Sequence, residues 1–142
     1  MTILDQVLSD IEAESNIDEL RIEFELLRIP QIQSRFMNMF TRQSIALRRL
    51  QGEYDSLKKD RVHYYLGKAP DAEYVKDRLD IKVLKTDLDL YLAADPVLTA
   101  KSLALQEQKL AVEALEKFLS SLRQRGYDLK TAVDYMKFKA GA

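Results

Sequence analysis

Cysteine and tryptophan are absent, histidine occurs once, and the 142 residues include only four glycines and three prolines. Without cysteine there are no disulfides, no thiolate metal centre and no cysteine nucleophile. A single histidine, His63, argues equally against a zinc site and a Ser-His-Asp arrangement. Gly67-Lys68 does not make a phosphate loop, because the upstream glycine is missing and Ala69 stands where a hydroxyl is needed. No apolar run approaches the ~20 residues a membrane helix needs. The opening Met-Thr-Ile-Leu-Asp-Gln has neither the basic start nor the apolar core of a secretory leader. The expectation is a cytoplasmic, non-membrane, non-enzymatic chain without metal or cofactor.

Hydrophobic residues make up 46% of the chain and charged residues 32%. With so few turn formers, that balance points to an all-α fold of long amphipathic helices with coiled-coil-like packing. The length suits a single domain, residues 1–142. A compact monomer of this size buries about two-thirds of its surface. A few long helices bury less on their own, which favours assembly into an oligomer.

The net charge of −1 hides an asymmetry along the chain. Residues 1–29 carry eight acids against two bases, residues 35–68 carry eight bases against three acids, and residues 69–142 carry twelve of each. The basic block in the middle therefore says more about partners than the overall charge does. The acidic N-terminal part, residues 1–29, reads as a solvated amphipathic surface, with a DNA-like decoy or a dock for a basic partner as the competing idea.

In chain order, Thr2 caps a short helix over residues 2–14 with Ile3, Leu4, Val7, Leu8 and Ile11 on one face. Asp18 is placed to cap the next helix, which Pro30 should end or kink. A long basic helix is expected over residues 31–67. Its seam of Phe36, Phe40, Leu47, Leu50, Tyr54 and Leu57 follows three- and four-residue steps, with Gln43 as the one polar interruption. The same steps carried forward reach Arg61 and Tyr64, so the seam loses its apolar character where positive charge gathers. Arg48 and Lys59, eleven residues apart, share a different face. Gly67 can end the helix in the left-handed conformation, and Pro70 prevents its continuation.

Residues 71–94 read as a connection. It holds a little helix capped by Asp71, an alternating Leu79, Ile81 and Val83, and a short helix from Thr86 or Asp87 to Leu92. Asp95-Pro96 is a strong start signal, a capping acid before proline in the first helical position. The C-terminal part, residues 96–139, divides into a helix ending at Arg125-Gly126 and a last one capped by Asp128. Leu105, Val112, Leu115, Leu119 and Leu122 lie at heptad positions, and Ala100, Ala104, Ala111, Ala114 and Phe118 form a second face. Two usable faces suggest a core contact and a subunit contact.

Residues 57–67, Leu-Lys-Lys-Asp-Arg-Val-His-Tyr-Tyr-Leu-Gly, combine charge and aromatics as no other segment does. Taken by the residues alone, two readings stay open. The lysines are either a solvated face paired to Asp55 and Asp60, or cations that neutralise phosphates in a salt-dependent, sequence-blind way. Tyr64 and Tyr65 either pack at the helix end or offer stacking surfaces to bases. His63 reads as an exposed neighbour that adds charge in acid. The candidate DNA-binding set is Arg48, Arg49, Lys58, Lys59, Arg61, His63, Tyr64, Tyr65 and Lys68. A helical scaffold or chaperone-like assembly protein without nucleic-acid binding is the alternative.

Beyond residues 57–67, the order continues with Lys85-Thr86 ahead of a short helix ending Ala94-Asp95. Ser121-Leu122-Arg123-Gln124-Arg125-Gly126-Tyr127 follows, and the chain closes on Lys137-Phe138-Lys139-Ala140-Gly141-Ala142. With this order and spacing the sequence resembles the UvsY family, the recombination mediators of the T-even-like bacteriophages. The likeness covers most of the chain and is best from about Leu57 onward. The resemblance implies a helical, non-enzymatic protein of the host-cell cytoplasm that binds single-stranded DNA. It also implies contacts to a RecA-like recombinase and a single-stranded DNA-binding protein, whose exchange on DNA such a mediator assists. It further implies a ring-like homo-oligomer of about six or seven copies, a closed assembly. The family's DNA-contacting basic pair, aligned on the paired tyrosines, falls on Lys59 and Arg61. Lys58 is an additional base beside it, Lys68-Ala69-Pro70 replaces a glycine-rich turn, and His63 stands where an acid would suit the pattern.

Overall fold

A capping box starts the chain: Asp5 N donates to Thr2 Oγ1 at 3.1 Å and Thr2 N donates to Asp5 Oδ2 at 3.2 Å. Two of the four amides that a helix start leaves without partners are satisfied in this way. The computed structural model describes residues 1–141 and, among these, contains helices, turns and connections but no strand. The helices are α1 (Ile3–Ala13), α2 (Ile22–Tyr65), α3 (Asp71–Lys76), α4 (Leu88–Ala93) and α5 (Pro96–Lys139), with a 3₁₀ turn at Lys85–Asp87. None of them is long and apolar enough to cross a membrane.

The two long helices are longer than their breakers suggest. Pro30 neither ends nor opens a helix but lies inside α2, which begins at Ile22. Proline in a helix interior costs about 3 kcal/mol. It is tolerated here because Pro30 is exposed while Glu25, Ile32 and Phe36 are buried on either side of it. Asp18 does not cap α2. Its Oδ1 accepts from Leu20 N at 3.0 Å in a tight turn, and the first helical carbonyl is that of Arg21, which accepts from Glu25 N at 3.1 Å.

Arg125-Gly126 likewise does not end a helix, and Asp128 caps nothing. α5 runs through both, with Leu122 and Leu129 buried on either side. Arg125 Nη1 donates to the Glu14 carbonyl at 2.9 Å, and Asp128 accepts from Gln124 at 2.9 Å in mid-helix. The alternating Leu79, Ile81 and Val83 form no strand, and of the three only Val83 is buried. Asp71 is the first residue of α3, behind Pro70.

Packing divides the chain into two units, Met1–Ala46 with Glu107–Ala142, and Leu47–Gln106. These limits cut through α2 and α5, whereas the subdivision expected from sequence follows helix breaks. The first unit is built on Val7 of α1, Ile32 and Phe36 of α2, and Ala111, Leu115, Phe118 and Leu122 of α5. The rings of Phe36 and Phe118 meet at 4.5 Å, tilted by 53°. Gln43, the polar interruption, accepts twice from the buried Gln108 Nε2, at its carbonyl (3.0 Å) and side-chain oxygen (2.9 Å). Glu14 bridges Arg28 of the N-terminal part (2.8 Å) and Arg35 of the basic block (2.7 Å), so the acidic surface pairs with bases of both.

Candidate nucleic-acid interface

The second unit carries every basic and aromatic residue of the candidate DNA-binding set. α2 ends there as a helix with a glycine in the left-handed conformation does. Gly67 has φ +74°. Lys68 N donates to the His63 carbonyl at 2.8 Å and Gly67 N to the Tyr64 carbonyl at 3.2 Å. These two bonds satisfy carbonyls that the helix end would leave free, and they set the backbone from which Lys68 projects. The following segment folds back onto this end through Tyr74, whose hydroxyl donates to the Tyr64 carbonyl at 2.8 Å and accepts from Ala69 N at 3.2 Å.

Beneath the surface lies one carboxylate with several partners. Asp95 caps α5 through Oδ1, which accepts from Leu98 N at 2.8 Å. Its Oδ2 accepts from Arg61 Nε at 2.8 Å and Tyr65 OH at 2.6 Å, and lies 2.7 Å from Arg61 Nη2. The Asp95 side chain has no exposed surface and that of Arg61 retains 12%. Burial pushes the Asp95 carboxyl up, but hydrogen bonds from Tyr65, the Leu98 amide and Arg61 outweigh it and hold its pKa below the ordinary value. Burial likewise opposes the Arg61 charge, and the bonds to Asp95 and Tyr65 overcome it, raising the pKa. Tyr65 is raised by burial and by its bond to the ionised Asp95, and Tyr64 is raised by burial and by Asp77.

The aromatic rings are similarly engaged. Tyr64 is stacked on Tyr74 at 5.3 Å and 17°, and the Arg61 guanidinium lies over its ring at 4.2 Å. Its hydroxyl donates to the Asp77 carbonyl at 3.0 Å. Tyr65 is half-buried between an edge contact to Tyr64 at 5.1 Å and a tilted contact to Tyr91 at 5.8 Å. An open groove of about 490 Å³ runs beside Arg61 and Tyr64, lined by Asp60, Glu73 and Asp77 together with His63 and Lys76.

The nine candidate residues thus fall into two groups. Arg48, Arg49, Lys58, Lys59, His63 and Lys68 are exposed, and none of them forms an ion pair among the described residues. Asp55 accepts from Gln51 at 3.0 Å rather than pairing with a lysine. Arg61, Tyr64 and Tyr65 face inward. Residues two apart on a helix point about 200° around its axis from one another, so Lys59 and Arg61 occupy opposite sides of α2. Sequence reasoning missed Tyr74, Tyr91 and the second role of Asp95. Only Asp95 left a signal, because the extended seam already placed Arg61 on a packed face that would need a buried acid.

The family profile described as "Recombination, repair and ssDNA binding protein UvsY" matches residues 10–142. The chain belongs to the UvsY family. It is 21% identical over 138 residues to the recombination protein uvsY of Enterobacteria phage T4, covering 97% of this chain and 98% of that one. Crystal structures of the bacteriophage T4 recombination mediator protein UvsY share its fold. One matches with a TM-score of 0.83 at 18% identity, covering 96% of each chain. A second lattice form matches with 0.80 at 17% identity, covering 96% of this chain and 98% of that one. The resemblance, which covers most of the chain and is best from about Leu57 onward, is matched by the family over residues 10–142, and the all-α class expected from composition is the UvsY fold.

In the candidate oligomerisation set, Leu115 and Leu122 lie inside the core of the first unit. Leu105 is buried in the second unit at 6% exposure. Val112 and Leu119 are half-buried and keep accessible surface, although Leu119 also packs against the core of the first unit.

Proposed function

We propose that this chain is a recombination mediator that binds single-stranded DNA and helps a RecA-like recombinase displace a single-stranded DNA-binding protein from it. The family match across residues 10–142 carries the reading. The unpaired cations on and beyond α2 support its DNA-binding part. Phosphates meet Lys58, Lys59 and Lys68 at the helix end, where the His63 ring can add an N–H donor, and Arg48 and Arg49 three turns earlier. Such contacts are sequence-blind and weaken with salt as counterions return. Tyr65, half-buried, is the member of the tyrosine pair with more surface left for a base. No catalytic step and no cofactor belong to this reading.

Copies of the chain form a ring-like homo-oligomer of about six or seven, closed by symmetry. Val112 and Leu119 contribute subunit contacts, while Leu105, Leu115 and Leu122 shape α5 from within. Several copies on one strand bind avidly although each adds only a few charges. A mediator of this kind holds DNA while another protein is exchanged.

The test is fluorescence anisotropy of a labelled single-stranded oligonucleotide at several salt concentrations, with a duplex control. Tight binding that prefers the single strand and falls steeply with salt is expected. Lys58→Ala with Lys59→Ala should reduce the slope of log affinity against log salt by about 1.4, at ~0.7 per phosphate contact on single strands. Absence of binding at low salt would overturn the reading in favour of a helical assembly protein without nucleic acid.

A further inference from the structure

We infer that Arg61 is a positioning residue, which holds the DNA-binding end of α2 in place through Asp95 instead of touching DNA itself. The inference rests on the single-stranded DNA-binding function proposed above and assigns a different task to one of the two basic residues singled out by the family resemblance.

Four observations carry it. First, Arg61 Nε and Nη2 both engage Asp95 Oδ2, at 2.8 and 2.7 Å, and the carboxylate is wholly buried. A phosphate would have to compete with a partner that is already desolvated and accepts two charge-assisted bonds from the guanidinium on one oxygen. Second, Arg61 points to the opposite side of α2 from Lys59, so one DNA backbone lying on the exposed face cannot reach both. Third, the groove beside Arg61 carries three acids, Asp60, Glu73 and Asp77, against Lys76 and Arg61 itself, so it lacks the excess of positive charge that draws in a phosphate backbone. Fourth, Asp95 also accepts from Tyr65 OH at 2.6 Å and from Leu98 N at 2.8 Å. One carboxylate therefore ties the last turn of α2 to the first turn of α5, next to the backbone that presents Lys59, His63 and Lys68.

Removing Arg61 alone leaves Asp95 as a buried acid without its cation. The end of α2 then loosens, and the exposed cations beyond it lose their fixed spacing. DNA affinity falls although no phosphate contact has been deleted. Removing the charge of both partners together should largely restore it, because asparagine is also a good helix cap.

The experiment compares single-stranded oligonucleotide binding of the full chain with Arg61→Gln, with Arg61→Gln plus Asp95→Asn, and with Lys59→Ala, each across a salt series. Arg61→Gln should weaken binding about tenfold, and the double variant should return to within about threefold of the unsubstituted chain with its salt slope intact. Lys59→Ala should lower the slope by about 0.7. The inference is overturned if the double variant binds as weakly as Arg61→Gln with its slope lowered as in Lys59→Ala, since Arg61 is then a phosphate contact. Arg61→Lys serves if the double variant does not fold. Lysine keeps the charge but loses the planar pair of N–H donors that meet Asp95 Oδ2, so weakened binding at an unchanged slope supports positioning, and unweakened binding overturns it. Failure of the unsubstituted chain to bind single strands at all would instead overturn the function on which the inference rests.

Discussion

A charge at residue 61 has a different meaning from a charge at residue 59, and Asp95 is the reason. An acid with a lowered folded-state pKa contributes stability above its unfolded value. That contribution is lost as pH falls from the ordinary carboxylate range through the folded value. Thermal melts from pH 6 down to pH 2 should therefore show a loss that begins near pH 4, the ordinary Asp range. Asp95→Asn should flatten that part of the curve. Arg61→Gln at neutral pH should cost about 3 kcal/mol or more, because it strands a buried carboxylate. Denaturant unfolding measures it. Tyr64 and Tyr65 have raised values, so their contribution is complete below the ordinary tyrosine range and lost as pH rises above it.

At the scale of the element, α2 and α5 show how packing overrides local breakers. Proline and glycine weaken a helix interior by roughly 3 and 1 kcal/mol relative to alanine. Pro30→Ala should accordingly raise stability by about 1–2 kcal/mol, after allowing for the freer unfolded chain. Gly126→Ala should also stabilise, by about 0.5–1 kcal/mol, since an added Cβ would meet Ile29 Cδ1 at 3.7 Å, an ordinary contact. Gly67→Ala should do the opposite and cost about 1–2 kcal/mol, because its φ of +74° suits glycine alone. The midpoints of the three denaturation curves check these opposite signs. Thr2, Gly67 and Asp95-Pro96 were legible as punctuation because each acts through bonds to its own neighbours. Pro30 and Gly126 as helix ends and Asp18 as a cap were misleading, because contacts with residues distant in sequence decide where a helix starts and how far it runs.

At the scale of the whole molecule, a charged residue at Val112 together with one at Leu119 should lower the particle mass measured by light scattering while leaving the circular dichroism helical. An unchanged mass would remove these two residues from the subunit contact. Residue types and the way they repeat determined that the protein is helical, free of disulfides and, among the described residues, without a helix long and apolar enough to cross a membrane. Order and spacing along the chain also determined its family. Only the tertiary structure decided which of the cations of α2 face water. Helical periodicity places Arg61 on the packed seam, but whether a buried acid waits there depends on a residue 34 positions away. For the same reason the heptads of α5 announced apolar contacts without saying whose. Leu115 and Leu122 proved to be the chain's own core, because α1 and α2 supply Val7, Ile32 and Phe36 to cover them.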